Sequence, residues 1–174
     1  MTLEHIKKAI RNIPDFPIPG IQFKDITTAI SDGAILKEIG QRMYDQYKDK
    51  GITKVIGIES RGFIMGGIIA EKLGVGFVPI RKKGKLPATT LSVVYGKEYG
   101  EDEIEMHQDS LSETDIVLVH DDLLATGGTM QAAEKLIKKF GVQTIYFHFL
   151  IELDDLNGRE NFISPENVSS MIHF

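Results

Sequence analysis

Short apolar runs that alternate with helical stretches dominate the sequence after residue 50 and leave few architectures open. Lys54-Val55-Ile56-Gly57-Ile58 and residues 76–80, 115–120 and 143–151 have the β-branched and apolar make-up of strands. Residues 63–73 and 129–140 have helical patterning, with Gly74 and Gly141 where a helix needs a left-handed stop. Strands apolar on both faces must be covered on both faces. The pattern therefore predicts an α/β fold, a central, mainly parallel sheet flanked by helices. Such a sheet places ligands beyond the carboxyl ends of its strands.

The 174 residues suit a single domain, 1–174, with a core of its own. A formal net charge of −5 argues against nucleic-acid binding, which usually draws on a basic surplus. The absence of cysteine removes disulfides, thiolate metal sites and cysteine nucleophiles. Near the N-terminus Glu4, Lys7, Lys8 and Arg11 interrupt the apolar residues, unlike a signal peptide, and no stretch is long and apolar enough to span a bilayer. The expectation is a cytoplasmic protein with no membrane association.

Leu3, Ile6, Ala9, Ile10 and Ile13 recur at helical spacing, which predicts an opening helix ended by a proline-rich loop at 14–20. Ser31 and Asp32 read as N-cap residues of a second helix running to about Tyr47, with Ile35, Ile39 and Met43 as its buried stripe. Residues 81–107 break the alternation. Arg81, Lys82, Lys83 and Lys85 form a basic loop, and the runs on either side of Gly96 read as a hairpin. An insertion of this kind in a compact domain suits a flexible lid.

The chemistry concentrates in Val117-Leu118-Val119-His120-Asp121-Asp122-Leu123-Leu124-Ala125-Thr126-Gly127-Gly128-Thr129. A buried strand runs into two acids, a small-residue turn follows, and a helix begins. Gly127 and Gly128 allow unusual backbone angles and close approach of a ligand. The helix N-terminus offers free N–H groups and a positive dipole end to a phosphate, and Thr126 and Thr129 add hydroxyls. Asp121 and Asp122 would repel that phosphate, but one step away they suit the hydroxyls of a sugar or a metal on it. The segment reads as a holder for ribose 5-phosphate. The alternative is an acidic turn that caps a helix. The Gly-Lys-Ser/Thr ending of a Walker loop and the Gly-x-Gly-x-x-Gly fingerprint are both absent.

This segment closely resembles the phosphoribosyl pyrophosphate signature of the type I phosphoribosyltransferases. Residues 16–27, Gly57-Ile58-Glu59-Ser60-Arg61-Gly62-Phe63, Arg81-Lys82-Lys83-Gly84-Lys85-Leu86-Pro87, Glu98-Tyr99-Gly100 and Leu156-Asn157-Gly158-Arg159-Glu160 extend the likeness and point to the members that use adenine. It runs in order over about residues 12–160. The resemblance implies the family's fold with a small hood at about 1–30 and a lid at about 81–107. It also implies purine salvage, with adenine and phosphoribosyl pyrophosphate giving AMP and pyrophosphate. A homodimer is implied, as is Mg²⁺ held by substrate and water rather than directly by the protein.

By the same resemblance Asp121 and Asp122 meet the ribose hydroxyls, and Ala125, Thr126, Gly127, Gly128 and Thr129 cradle the 5-phosphate. Ser60 and Arg61 form a pyrophosphate loop with a cis peptide before the arginine, and Arg81, Lys82 and Lys85 form a basic edge for the same group. Gln22, Phe23 and Lys24 bind the base, Phe23 by stacking, although ordinary core packing is its rival reading. Lys24 stands where the family usually has Arg. Glu98 is the candidate for managing the purine proton, with a polar hairpin residue as the equal alternative, and Tyr99 closes the lid. His120 stands where an apolar residue is usual and reads as a satisfied strand-end histidine. His5, His107, His148 and His173 show no metal-ligand spacing. Two other functions use the same residues: a regulator that binds phosphoribosyl pyrophosphate without catalysis, and an enzyme of this fold taking another base.

Overall fold

The Thr2 hydroxyl accepts the His5 N–H at 3.2 Å and starts α1 (Leu3–Ala9). The computed structural model describes residues 1–96 and 101–174, which divide into the units Met1–Gln46 and Tyr47–Phe174. Helical spacing predicts that α1 continues to Ile13, but the chain turns extended at Arg11. β1 (Arg11–Pro14) pairs antiparallel with β2 (Gln22–Asp25), Ile13 opposite Phe23. The Arg11 guanidinium grips the Asp25 carboxylate at 2.5 Å. Ladder pairing and this ion pair outweigh periodicity. Between the strands Asp15 takes a left-handed φ of 55° and the Phe16–Pro17 bond is cis. α2 (Thr27–Ile30) follows, and Asp32 then caps α3 (Gly33–Tyr47) by accepting the Ala34 N–H at 2.8 Å. Ile35, Ile39 and Met43 are buried, as their spacing predicts.

The second unit contains β3 (Lys54–Ile58), α4 (Gly62–Leu73), β4 (Gly76–Lys82), β5 (Thr90–Gly96), β6 (Glu101–His107), β7 (Ile116–Leu124), α5 (Gly128–Lys138), β8 (Thr144–Glu152) and β9 (Val168–His173). Its sheet has the order β5-β6-β4-β3-β7-β8-β9. The run from β4 to β9 is parallel, and the β5–β6 hairpin joins it antiparallel at β4. The mainly parallel sheet is the one expected. β9 is not foreseen by the sequence reading, because its apolar content is low: Ser169 and Ser170 occupy its middle.

Met130, Leu136 and Ile137 of α5 join Ile56, Val119, Phe147 and Phe149 in one core cluster. α4 approaches β3 through glycines. A Cβ on Gly57 would lie 2.7 Å from the Phe77 ring and 3.0 Å from the Gly62 carbonyl, and one on Gly66 would lie 2.9 Å from Phe77. Ordinary van der Waals separation excludes a side chain at either point, so this helix sits unusually near its strand.

β7 extends beyond the predicted 115–120 to Leu124. β8 continues beside it, pairing Asp121 with Phe149, Leu123 with Ile151 and Leu124 with Glu152, so both acids lie within the strand rather than in a turn. Their carboxyls are thereby borne on a backbone hydrogen-bonded to a neighbouring strand.

Candidate active site at the carboxyl edge of the sheet

β3 and β7 run parallel with Gly57 opposite His120, so the loops that follow them leave the sheet at the same edge. Glu59-Ser60-Arg61 leads into α4, and Ala125-Thr126-Gly127 leads into α5. Adjacent strands thus bring together two loops that are far apart in sequence.

The α5 loop is shaped by its backbone. Gly127 has a φ of +83°, and a Cβ there would lie 2.8 Å from the Gly158 carbonyl. A Cβ on Gly158 would lie 2.1 Å from the Ala125 carbonyl oxygen. Asn161 Nδ2 donates to the Thr126 carbonyl at 2.8 Å, closing the contact. No side chain among the described residues caps α5, which leaves its first N–H groups to an anion. A cavity of about 710 Å³ lies against Ala125, Thr126, Gly127, Gly128 and Thr129, with Asp121, Tyr95 and Gly96 in its wall. Among the described residues nothing stands within 4 Å of where a Gly128 Cβ would point. The five residues expected to cradle a phosphate therefore line one space.

The acids diverge. Asp122 is buried and its Oδ2 accepts a charge-assisted hydrogen bond from Arg61 Nε. Asp121 accepts the Asp122 N–H on Oδ1 at 2.9 Å and borders the large cavity and a smaller one of about 140 Å³. Loss of hydration, and then the neighbouring Asp122 charge, push the Asp121 carboxyl well above its usual range. Asp121 can therefore gain stabilisation from a cation or a hydroxyl donor. Arg61 is brought to the acid pair. The cis peptide expected between Ser60 and Arg61 lies one bond earlier, at Glu59–Ser60.

Glu59 organises the basic loop. Its Oε1 accepts from Arg81 Nη2 at 3.0 Å and Lys85 Nζ at 3.3 Å, and its Oε2 accepts the Lys82 N–H at 3.0 Å. The Arg81 hydrogen bond is the main cause that holds the Glu59 carboxyl down at about 2. Buried Glu105 accepts the Lys85 and Leu86 N–H groups, each at 3.0 Å. Glu59, Arg81, Lys82 and Asp102 line the smaller cavity. Tyr95, Asp121 and Thr129 line both cavities. Arg81, Lys82 and Lys85 are thus gathered as expected, but around a carboxylate to which the sequence reading gives no role.

Gln22, Phe23 and Lys24 lie on β2 in the first unit. Gln22 Oε1 accepts from Asn12 Nδ2 at 2.7 Å, and the Phe23 ring meets Phe16 edge-on with centroids 5.2 Å apart. Glu98 and Tyr99 lie outside the described residues. His120 and His148 are fully buried, with Nδ1 atoms 3.1 Å apart. Burial lowers His120 to about 4, and burial with the adjacent His120 lowers His148 well below its usual value. His120 is only half satisfied: neither Nε2 of the pair has a partner among the described residues. Besides Glu59, the sequence reading passes over Tyr95, Asp102 and Gly158. Gly158 had a signal, its place in Asn157-Gly158-Arg159. Tyr95 and Asp102 looked like ordinary hairpin residues.

The Phosphoribosyl transferase domain model matches residues 27–167. The adenine phosphoribosyltransferase of Bacteroides fragilis is 57% identical over 97% of this chain and 94% of its own. The crystal structure of adenine phosphoribosyltransferase from Thermoanaerobacter pseudethanolicus superimposes with a TM-score of 0.95 at 44% identity, covering 99% of this chain and 100% of that one. An APRTase from Giardia lamblia, complexed with 9-deazaadenine, gives a TM-score of 0.95 at 44% identity over 100% and 98% of the two chains.

Proposed function

This chain belongs to the phosphoribosyl transferase domain family, and from that premise we propose that it transfers the 5-phosphoribosyl group of phosphoribosyl pyrophosphate to adenine, giving AMP and pyrophosphate. The observation that carries the reading is the pair of adjoining cavities: an uncapped helix N-terminus with a glycine loop in one, a basic cluster in the other, and Asp121 bordering both. An elongated ligand anionic at both ends and hydroxylated in the middle matches that sequence of groups. In its adenine-specific relatives the same family acts on adenine, and the Giardia lamblia structure holds an adenine analogue.

In this reading the α5 loop holds the 5-phosphate, and the acids hold the ribose. A bond forms between a purine nitrogen and ribose C1 as the bond from C1 to the pyrophosphate oxygen breaks. The sugar becomes cation-like, which the Asp121–Asp122 pair favours electrostatically. Arg61, Arg81, Lys82 and Lys85, with Ser60, face the departing pyrophosphate. Gln22, Phe23 and Lys24 remain the proposed base-binding segment, Glu98 the residue that manages the purine proton, and Tyr99 the lid residue, all by resemblance. The hairpin excludes water, which would otherwise hydrolyse the sugar.

Mg²⁺ is the proposed cofactor. The donor set fits a hard cation that arrives on phosphate oxygens: Asp121 offers one carboxyl between the cavities while Asp122 is engaged by Arg61. When bound, the cation neutralises charge on the pyrophosphate. Among the described residues, the three side chains placed to hold a metal by themselves are Glu152, Asp154 and His173, and Glu152 is already paired with Arg159 at 2.5 Å. The reading also includes a homodimer and a cytoplasmic location. No helix among the described residues is long and apolar enough to cross a membrane.

Incubation with Mg²⁺, phosphoribosyl pyrophosphate and each base in turn tests the function. AMP from adenine alone is expected. Product from another base would overturn the substrate, and binding of phosphoribosyl pyrophosphate without any product would favour a sensor.

A further inference from the structure

Residues 157–162 lie against the α5 loop and are anchored on two sides. On the inner side Gly158, in the short 3-10 helix Gly158–Asn161, is buried against the Ala125 carbonyl, and its own carbonyl backs Gly127. Asn161 Nδ2 donates to the Thr126 carbonyl, and the Asn161 carbonyl accepts from Gln131 Nε2, each at 2.8 Å. Phe162 seats the far end of the segment, with its ring centroid 4.7 Å from that of Phe147. The outer anchor is Arg159. Its Nε donates to Glu152 Oε1 at 3.1 Å and its Nη2 to Glu152 Oε2 at 2.5 Å, a two-pronged grip on the end of β8. Its Nη1 donates to the Val168 carbonyl, where β9 begins, and Nη2 also reaches Ser170 Oγ at 3.4 Å. Glu152 is buried, and His173 Nδ1 stands 4.0 Å from its Oε2. Burial pushes the Glu152 carboxyl up, but the hydrogen bonds from Arg159 and Ser170 outweigh it and hold the group below its usual range.

We propose that Arg159 is a positioning residue for the 5-phosphate subsite: its fork on Glu152 fixes where Gly158 meets the Ala125–Gly127 backbone, and so how the α5 N–H groups face a phosphate. Arg159 lines neither cavity, so it acts through Gly158 rather than on the ligand. Its Cα lies one trans peptide, about 3.8 Å, from that of Gly158. A planar guanidinium bonded to β8 and β9 at once has little freedom, and it denies that freedom to its neighbour. Gly158 cannot advance, because the Ala125 carbonyl blocks it. It cannot withdraw, because Arg159 is tied to the sheet. Released from the fork, the segment keeps Asn161 and Phe162 at its far end only, and the left-handed Gly127 loses the carbonyl behind it. The charge of Arg159 is not what draws the phosphate, since Glu152 offsets it. Positioning and long-range attraction therefore predict opposite signs when Glu152 loses its charge.

This inference rests on the phosphoribosyl-transfer reading, and one pair of titrations separates the two. Ribose 5-phosphate, and separately pyrophosphate with Mg²⁺, are titrated calorimetrically into wild type, Arg159→Lys and Glu152→Gln, well below each thermal midpoint. Arg159→Lys keeps the charge but gathers its donors at one nitrogen, so it cannot span Glu152 and Val168 together. Its Kd for ribose 5-phosphate should rise about tenfold, the scale of a small misplacement at a binding group. Its Kd for pyrophosphate should stay within about twofold, because that subsite is built by other residues. Glu152→Gln leaves the Arg159 charge unbalanced, so attraction would tighten ribose 5-phosphate, whereas positioning weakens it about fivefold. Glu152→Gln decides the matter if Arg159→Lys does not fold. A lower thermal midpoint with unchanged ribose 5-phosphate affinity, equal weakening of both ligands, or tighter binding in Glu152→Gln each overturns the positioning role. Failure of the wild type to bind either ligand overturns the phosphoribosyl-transfer reading, and this inference with it.

Discussion

The two cavities adjoin and share three residues, yet they are made of different materials. The α5 loop is held mainly by backbone against backbone, Gly127 on Gly158 and Gly158 on Ala125, with Asn161 Nδ2 on the Thr126 carbonyl, and presents N–H groups to which no side chain of the described residues is bonded as a cap. The smaller cavity is held by charge: Glu59 clasps Arg81, Lys85 and the Lys82 N–H, while Glu105 clasps the turn that follows. Sterics make the first site specific in shape and indifferent to ionisation. Balance of charge makes the second adjustable, because its cations must leave or share a carboxylate when an anion enters. A group that stays with the product suits the first kind of site, and a group that must depart suits the second.

The sharpest way to break the comparison is Gly158→Ala. A methyl 2.1 Å from the Ala125 carbonyl cannot be accommodated without moving one backbone segment. A cost of about 3 kcal/mol is expected, a drop of about 10 °C in thermal midpoint, with loss of ribose 5-phosphate binding. A melting curve within about 2 °C of wild type would show that the contact is not rigid. Glu59→Gln attacks the other side. It keeps the shape but removes the charge and turns one of two accepting oxygens into a donor, so steady-state kinetics should give a KM for phosphoribosyl pyrophosphate raised about tenfold with kcat little changed. Its stability cost should be about 1 kcal/mol, since Arg81 and Lys85 are partly solvated. Equal falls in kcat and kcat/KM would instead place Glu59 in the chemical step.

Acid separates the two regions further. Glu59 is lowered from 4.5 to about 2 in the fold, so its contribution is complete above pH 4.5 and is lost as pH falls toward 2. His120, beside the acid pair, is lowered from 6.5 to about 4, so it favours the unfolded chain progressively as pH falls from 6.5 toward 4. Denaturant melts against pH should therefore lose slope in the lower window for Glu59→Gln and in the upper window for His120→Asn. Swapped windows would refute the assignment. The smallest effect on stability should come from Gly128→Ala, within about 0.5 kcal/mol, because its Cβ meets nothing. Yet that methyl would occupy the ligand's space, and ribose 5-phosphate affinity should fall about fivefold.

The comparison also explains what the sequence could disclose. The shape of the α5 loop was legible because it is written in residue types that have few other uses in a row: Gly127, Gly128 and flanking threonines after a buried strand. The parallel sheet was legible for the same reason, since β3 and β7 read as continuous apolar runs. Glu59 was not, because a carboxylate acquires its role from Arg81 and Lys85, which only the β3–β4 pairing brings near it. β1 was missed because Ile10 and Ile13 fit a helix equally well until β2 supplies a partner. β9 was missed because its place is set by β8 rather than by its own composition. Local chemistry was readable; pairwise chemistry required the fold.

The central strand has a consequence for when this catalyst comes into being. β3 meets β4 after one helix, with Lys54 opposite Gly76, but its other neighbour is β7, with Lys54 opposite Val117. Contacts between distant segments close slowly, and a chain leaving the ribosome makes its nearby pairings first. The pairing of β5 with β6 can therefore form while β3 still has one bare edge, a surface prone to sticking. The strand that covers that edge is the one that carries Asp121 and Asp122. Completion of the sheet and arrival of the acids are a single event, so a nascent chain has no half-built site for its substrate to rescue.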